Sequence, residues 1–243
     1  MGKTGKMKSC GERKPYTIPL PAKLVSFLKG KSAKSILELG CGYGRACFFL
    51  HENNLDVTGV DLDRIQLELA LQETKSRGIH EGINFAINDA RSLCFPDGSF
   101  DVVTMLGVLT LVSKTERPSI MKEVNRVLKP FGYVFIEEFG RTWENLVYRK
   151  RYINDLKITS ELGTITVRDE DGKILHFGHH FTLQELRSLL RAFQIISLEK
   201  TIFTSYYHKN WVNGYTILAR KRNKTEFQYI RQKCLIAFDR ESM

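Results

Sequence analysis

Residues 36–45, Ile-Leu-Glu-Leu-Gly-Cys-Gly-Tyr-Gly-Arg, constrain the fold more than any other stretch of the chain. A short apolar run ends in three glycines at alternate positions, and helix-period sequence starts directly after them. The pattern reads as a buried strand over 35–40, a tight turn, and a helix over 44–53. Glycine lets a backbone turn sharply and approach a ligand where any Cβ would collide. In doubly wound α/β folds such a turn lies at the carboxyl edge of a parallel sheet, where ligands bind. The spacing is G-x-G-x-G, whereas the dinucleotide fingerprint needs G-x-G-x-x-G, and its third position here is Arg45. That departure disfavours a nicotinamide cofactor.

The rhythm set by this unit continues. Strands are expected over 55–61, 83–88, 100–106 and 131–139. Between them lie a helix over 64–78, N-capped by Asp63 with Ile65, Leu69 and Ala70 on one face, and a helix over 115–128 stopped by Lys129-Pro130. Strands alternating with helices imply right-handed crossovers and a parallel sheet covered on both faces. After Phe139 the alternation breaks for about forty residues, 140–180, which hold a hairpin over 163–167 and 174–177 turned by Asp169-Glu-Asp-Gly172. A helix over 182–193 and strands over 194–203 and 211–220 follow. The last two strands have no helix between them and are expected to be antiparallel. The fold class is therefore α/β, Rossmann-like, with a seven-stranded, mostly parallel sheet and helices on both faces. Its last strand is antiparallel, and an insertion follows strand five. The domains are a basic segment 1–34, one domain 35–220 with a lid insert 140–180, and a basic tail 221–243 with Phe227, Ile230, Cys234 and Phe238 at helical spacing.

Three further strand ends carry candidate chemistry. Asp61 ends the second strand, where an acid accepts hydrogen bonds from ribose hydroxyls and repels a 2′-phosphate. Asp89, in Asn88-Asp89-Ala90 after the third strand, can accept from an exocyclic amine. A turn, Phe95-Pro-Asp-Gly-Ser-Phe, feeds the fourth strand.

ILELGCGYGR, VTGVDLD, NDARSLCFPDGSFDVV and EVNRVLKPFGYVFIEE, in that order, resemble class I S-adenosylmethionine-dependent methyltransferases, in the branch of small-molecule enzymes that includes quinone-biosynthesis C-methyltransferases. The resemblance covers about residues 35–139 and, more loosely, 181–220. It implies S-adenosylmethionine as cofactor. Glu38 and the turn of Gly40, Cys41, Gly42 and Gly44 would hold its methionine end, and Asp61 its ribose. Leu62 would pack on adenine, Asp89 would take the adenine amine beside Ala90, and Leu106 would lie near the methionine. Tyr16 belongs to a segment that covers the cofactor in such proteins. No metal is implied. The resemblance departs at Val108-Leu-Thr-Leu111, where many relatives carry a His pair, so a general base is sought elsewhere. Glu137 and His180 are the candidate catalytic residues, with Glu138, His176 and His179 beside them.

A net charge of +10 invites a nucleic-acid reading. By segment, residues 1–34 hold nine basic and one acidic side chain and 220–243 hold seven and three, while 35–139 hold ten and fifteen. The cofactor-bearing stretch is thus acidic, which suits a cationic sulfonium. A small-molecule acceptor is the main expectation, and RNA tracked by the basic ends is the alternative. The intact cofactor motifs argue against a non-catalytic cofactor-binding partner subunit but do not test acceptor chemistry. Apolar runs fall short of the ~18–20 residues of a membrane span. The basic N-terminus lacks the apolar stretch of a secretory signal. Five scattered cysteines without C-x-x-C spacing suit a reducing, cytoplasmic location. Cys41 reads as a small residue fitting under the glycine turn, and Tyr206-Tyr207-His208 with Trp211 as an aromatic substrate wall or an edge hairpin.

Overall fold

The computed structural model describes residues 18–204 and 211–222. Its centre is the strand that the glycine turn terminates. β1 (Ser35–Leu39) pairs in parallel with β2 (Asp56–Asp61) on one side and β4 (Phe100–Leu106) on the other. β3 (Ile83–Ile87) extends the sheet beyond β2, and β5 (Leu128–Phe139) beyond β4. The far edge is built by β8 (Phe193–Thr204) and β9 (Trp211–Lys221), in the order β3-β2-β1-β4-β5-β9-β8. β9 runs antiparallel to both of its neighbours and is the only strand of this sheet to do so among the described residues. The expected seven-stranded sheet with an antiparallel last strand is present.

Two apolar faces are covered by helices, as the near-continuous Val, Ile and Leu content of the strands requires. α1 (Ala22–Leu28) and α2 (Arg45–His51) bury Leu24, Leu28, Phe48 and Leu50 against Ile36 and Phe135. α4 (Arg117–Val127) and α6 (Leu183–Leu189) bury Ile120, Val124 and Leu186 against Leu37, Val103 and Ile136. α3 (Arg64–Ser76) is N-capped by Asp63, whose carboxylate accepts the Ile65 and Gln66 N–H groups. Its buried residues are Leu67 and Ala70, so Ile65 and Leu69 are not its core stripe. Both line a cleft at the sheet edge instead. α6 carries a complete capping box between Thr182 and Glu185.

The insert contains more structure than the hairpin read from sequence. α5 (Leu146–Thr159), capped by Asn145, precedes the hairpin of β6 (Thr164–Arg168) and β7 (Ile174–His179). The helix buries Tyr148 and Tyr152 with Ile165, Phe203 and Val212 in a separate small core. The expected tail helix, Tyr16 and Tyr206-Tyr207-His208 lie outside the described residues.

Candidate active site

The chain leaves β1 in one direction toward β2 and β3 and later returns to lay down β4 and β5 on its other side. This switch in strand order opens a crevice at the carboxyl ends. A cleft of about 1420 Å³ lies there. The glycine turn forms its floor. Gly40 has φ +63°, and a Cβ on it would stand 2.9 Å from Val108 Cγ2. Gly44, at φ +87°, starts α2 with no room for a Cβ, which would stand 2.7 Å from the Phe85 ring.

Asp61 closes the turn. Its Oδ2 accepts the Gly42 N–H at 2.8 Å and its Oδ1 the Asp63 N–H at 2.9 Å. Asp89 accepts from the Arg91 backbone at 2.8 Å and from the Arg91 guanidinium at 2.6 Å, which holds its carboxyl below the usual range. Arg91 also bridges to Glu116. Leu62, Ala90 and Leu106 line the same cleft as Glu38, Gly40, Cys41, Gly42, Asp61 and Asp89. The structure thus brings together nine residues that sequence assigned to a cofactor. Gly44 stands behind the lining, where it sets the backbone.

Glu38 is buried at the base and takes a hydrogen bond from the Thr104 hydroxyl, its neighbour across the β1–β4 pairing. Burial pushes its carboxyl up to about 8; Arg45 opposes the rise and Glu137 adds to it. Arg45, which replaces the third glycine of the dinucleotide spacing, donates to the Ile18 carbonyl at 2.6 Å. It thereby ties the described start of the chain over the cleft, where Ile18 is part of the lining.

The two expected catalytic residues are not among those lining the cleft. Glu137 is buried, accepts the Thr216 hydroxyl at 3.1 Å and keeps Oε2 without a hydrogen-bond partner. Burial pushes it up to about 7. His180 is buried with Nδ1 at 2.8 Å from the Tyr152 hydroxyl, and burial pushes it down to about 3, so it is neutral. It stacks on Phe139, 5.4 Å between centroids, and Phe139 lines the cleft. Glu138, its side chain on the opposite sheet face from that of Glu137, accepts the Leu109 and Thr110 N–H groups and so holds the 3₁₀ turn Leu109–Leu111. His179 sits between Glu161, 3.5 Å from Nδ1, and Glu185, 3.6 Å from Nε2. These three offer ligand atoms within 4.8 Å of one another, as a metal set would, but the Glu161 carboxylate is paired with the Arg117 guanidinium and that of Glu185 is held in the capping box by Thr182. Of the described histidines, His176 lines the cleft.

Sequence reasoning did not find Arg45 as the anchor of the N-terminal segment, Arg91 as the partner of Asp89, or the holding role of Glu138. The first had a signal, a cation where the fingerprint has glycine. The second is a local pair, Arg91 standing two residues after Asp89, and only the role of Glu138 depends on contact between distant segments.

The residues fit S-adenosylmethionine. A glycine turn leaves its backbone open to a ligand, a carboxylate ends each of the next two strands, apolar side chains line the cleft beside them, and a buried carboxylate lies at its base. Residues 36–132 match the model of the methyltransferase domain family. A solved SAM-dependent methyltransferase from Methanosarcina mazei is 36% identical, with a TM-score of 0.75 over 79% of this chain and 93% of its own. The PH0226 protein of Pyrococcus horikoshii, 23% identical with a TM-score of 0.62 over 81% of this chain and 86% of its own, shares the fold. Phosphoethanolamine N-methyltransferase 3 of Arabidopsis thaliana is 27% identical over 76% of this chain and 38% of its own length. A ubiquinone/menaquinone biosynthesis C-methyltransferase of a Shewanella species is 27% identical over 48% of this chain and 45% of its own. The chain spans less than half the length of these curated relatives.

Proposed function

This chain belongs to the class I S-adenosylmethionine-dependent methyltransferases, and from that premise we propose that it transfers a methyl group to a small-molecule acceptor. One observation carries the reading: side chains from four strand ends face a single cleft, which continues past Leu106 toward Leu111, Phe139 and His176. Asp61 would hold the ribose, Leu62 and Ala90 the adenine ring, Asp89 its amine, and Glu38 with the glycine turn the methionine end. The cofactor supplies an electrophilic methyl on a sulfonium. The work left to the protein is alignment and exclusion of water. Arg45 keeps Ile18 over the site, and His180 steadies Phe139 by stacking. Glu137 acts from behind the wall, as a charge beside Glu38. His176, which lines the cleft, would take a proton from the acceptor. The curated relatives are named for N-methylation of phosphoethanolamine and for C-methylation in ubiquinone/menaquinone biosynthesis, which supports a small acceptor.

Incubation with methyl-labelled cofactor and a cell extract, followed by separation of metabolites, protein and RNA, tests the reading. Label is expected in the metabolite fraction. Label in RNA would overturn it in favour of a role for the basic ends. Calorimetric titration should show binding of S-adenosylmethionine and none of NAD.

A further inference from the structure

Three segments of the chain meet around Phe139, the aromatic residue that ends β5 and lines the cleft. Thr142 lies just beyond that strand, Tyr152 is in α5, and His180 directly follows β7. All three are buried. The Thr142 N–H donates to the Tyr152 hydroxyl oxygen at 3.1 Å, and the same oxygen lies 2.8 Å from His180 Nδ1. A phenol oxygen that accepts a backbone N–H still has its own proton to give. His180 is neutral, because burial pushes it down to about 3, so Nδ1 accepts that proton and the ring hydrogen sits on Nε2. The imidazole fixed in this way stacks on Phe139, with planes 21° apart. Phe203 meets the same phenyl ring edge-on, 5.8 Å between centroids. The backbone closes the circuit: the Phe181 N–H donates to the Phe139 carbonyl at 2.8 Å, and the Arg141 N–H to the Phe181 carbonyl at 2.7 Å.

We propose, on the methyl-transfer reading, that Tyr152 and His180 are positioning residues for the acceptor: the Tyr152 hydroxyl orients the imidazole, the imidazole holds the Phe139 ring, and that ring is a wall of the acceptor half of the cleft. Strand order gives Phe139 this place. Asp61 and Asp89 stand at the ends of β2 and β3, on one side of β1, whereas Leu106 and Phe139 end β4 and β5, on the other. A cofactor whose ribose and adenine lie toward β2 and β3 leaves the β4–β5 side for the molecule that receives the methyl. Little slack surrounds the ring there. A Cβ on Gly107, in the turn after β4, would stand 4.0 Å from Phe139 Cε2 and 2.7 Å from Ile18 Cδ1. Stacking alone leaves a buried imidazole free to turn over, which exchanges its nitrogens for carbons; the hydroxyl removes that freedom. Among the described residues, α5 contributes none to the cleft lining. Tyr152 is therefore the route by which the insert helix acts on the site.

Three measurements test this: transfer of label from methyl-labelled S-adenosylmethionine to the metabolite fraction of a cell extract, calorimetric affinity for the cofactor, and the NMR spectrum of the histidine ring nitrogens. Tyr152→Phe should lower transfer by about tenfold and raise the amount of extract needed for half-maximal transfer, while cofactor affinity stays within about twofold of the parent. His180→Asn keeps an acceptor for the Tyr152 hydroxyl but has no ring to stack, so it should transfer as poorly. Tyr152→Phe added to Phe139→Leu should lose no more than Phe139→Leu alone, because both act through one ring. In the parent, the histidine signals that His180→Asn removes should be those of a neutral ring with its hydrogen on Nε2. A hydrogen on Nδ1 would overturn the proposal, as would additive losses in the double variant. Cofactor affinity that falls as far as transfer would also overturn it and make the network purely structural. A parent protein that labels no metabolite would overturn the methyl-transfer reading together with the proposal. Labelling by the parent that Tyr152→Phe and His180→Asn leave unchanged would overturn the proposal alone.

Discussion

The Asp61 carboxylate accepts the Gly42 N–H at 2.8 Å, so the acid that ends β2 holds the glycine turn that ends β1. The same group accepts the Asp63 N–H, which sets Asp63 to cap α3. Asp61→Ala is expected to weaken S-adenosylmethionine binding by at least about tenfold, because ribose acceptors and turn geometry are lost together. It should also cost about 1–3 kcal/mol of stability through unpaired donors. Asp61→Asn, which keeps one acceptor, should retain more stability than affinity. Calorimetry and thermal melting separate the two effects, and an unaltered affinity in the alanine variant would contradict the ribose assignment.

Gly40 tests the turn from the other side. A side chain there meets both a left-handed backbone at φ +63° and the Val108 methyl at 2.9 Å. Gly40→Ala should lose about 1–3 kcal/mol and cofactor affinity with it. Val108→Ala in the same molecule should restore part of the stability, the steric share, and leave the backbone share. Equal melting temperatures for the single and double variants would remove Val108 from the account.

Much of this was legible in sequence, for identifiable reasons. β4 was expected over 100–106 and occupies Phe100–Leu106, because an apolar-rich run, interrupted only by Asp101 and Thr104 and lying between turn signals, has little freedom. The four cofactor-bearing strand ends follow from the same pattern, since a parallel sheet puts every such end on one edge. α5 was missed because Leu146, Val147, Ile153, Leu156 and Ile158 surround the helix and leave no single apolar stripe to detect. Sequence puts Glu137 forward as the catalytic candidate with Glu138 beside it. Strand alternation sends them to opposite faces, but only the packed sheet shows that Glu138 is consumed by the Leu109 and Thr110 N–H groups. His176 could be singled out only once the β6–β7 hairpin stood beside the turn after β4.

Glu38 gives a pH dependence with a definite sign. Burial raises its carboxyl from 4.5 to about 8, so at neutral pH the free protein holds it mostly protonated. A cationic ligand beside it is bound better by the ionised form, so affinity should rise with pH and level off above about 8. Below that, the slope should approach about tenfold per pH unit. Glu38→Gln should flatten the profile. Folding has the opposite sign. A raised carboxyl contributes stability that is fully present below about 4.5 and is lost as pH rises through 8, so the glutamine variant should gain stability relative to the parent at alkaline pH. Binding titrations and melts across pH 6 to about 9 measure both.

The insert is fastened to the domain by a buried ion pair. Arg117 of α4 reaches Glu161, at the end of the α5 segment, at 2.6 and 3.2 Å, and its guanidinium carbon lies 4.9 Å from the Phe181 ring centroid. Burial alone would raise the Glu161 carboxyl, and Arg117, His179 and the Thr164 hydroxyl together outweigh it and hold the group low. Arg117→Met leaves Glu161 with His179 as its remaining charged neighbour and should cost about 3–5 kcal/mol. Adding Glu161→Gln removes the stranded charge and should recover a large part of that loss. If the fastening is what places the hairpin, the single variant should also lose the docking of His176 against the cleft, read as faster hydrogen exchange in β6 and β7 than in β1 and β4. Exchange that quickens equally in all four strands would mean that Arg117 stabilises the whole domain and gives the insert no separate hold.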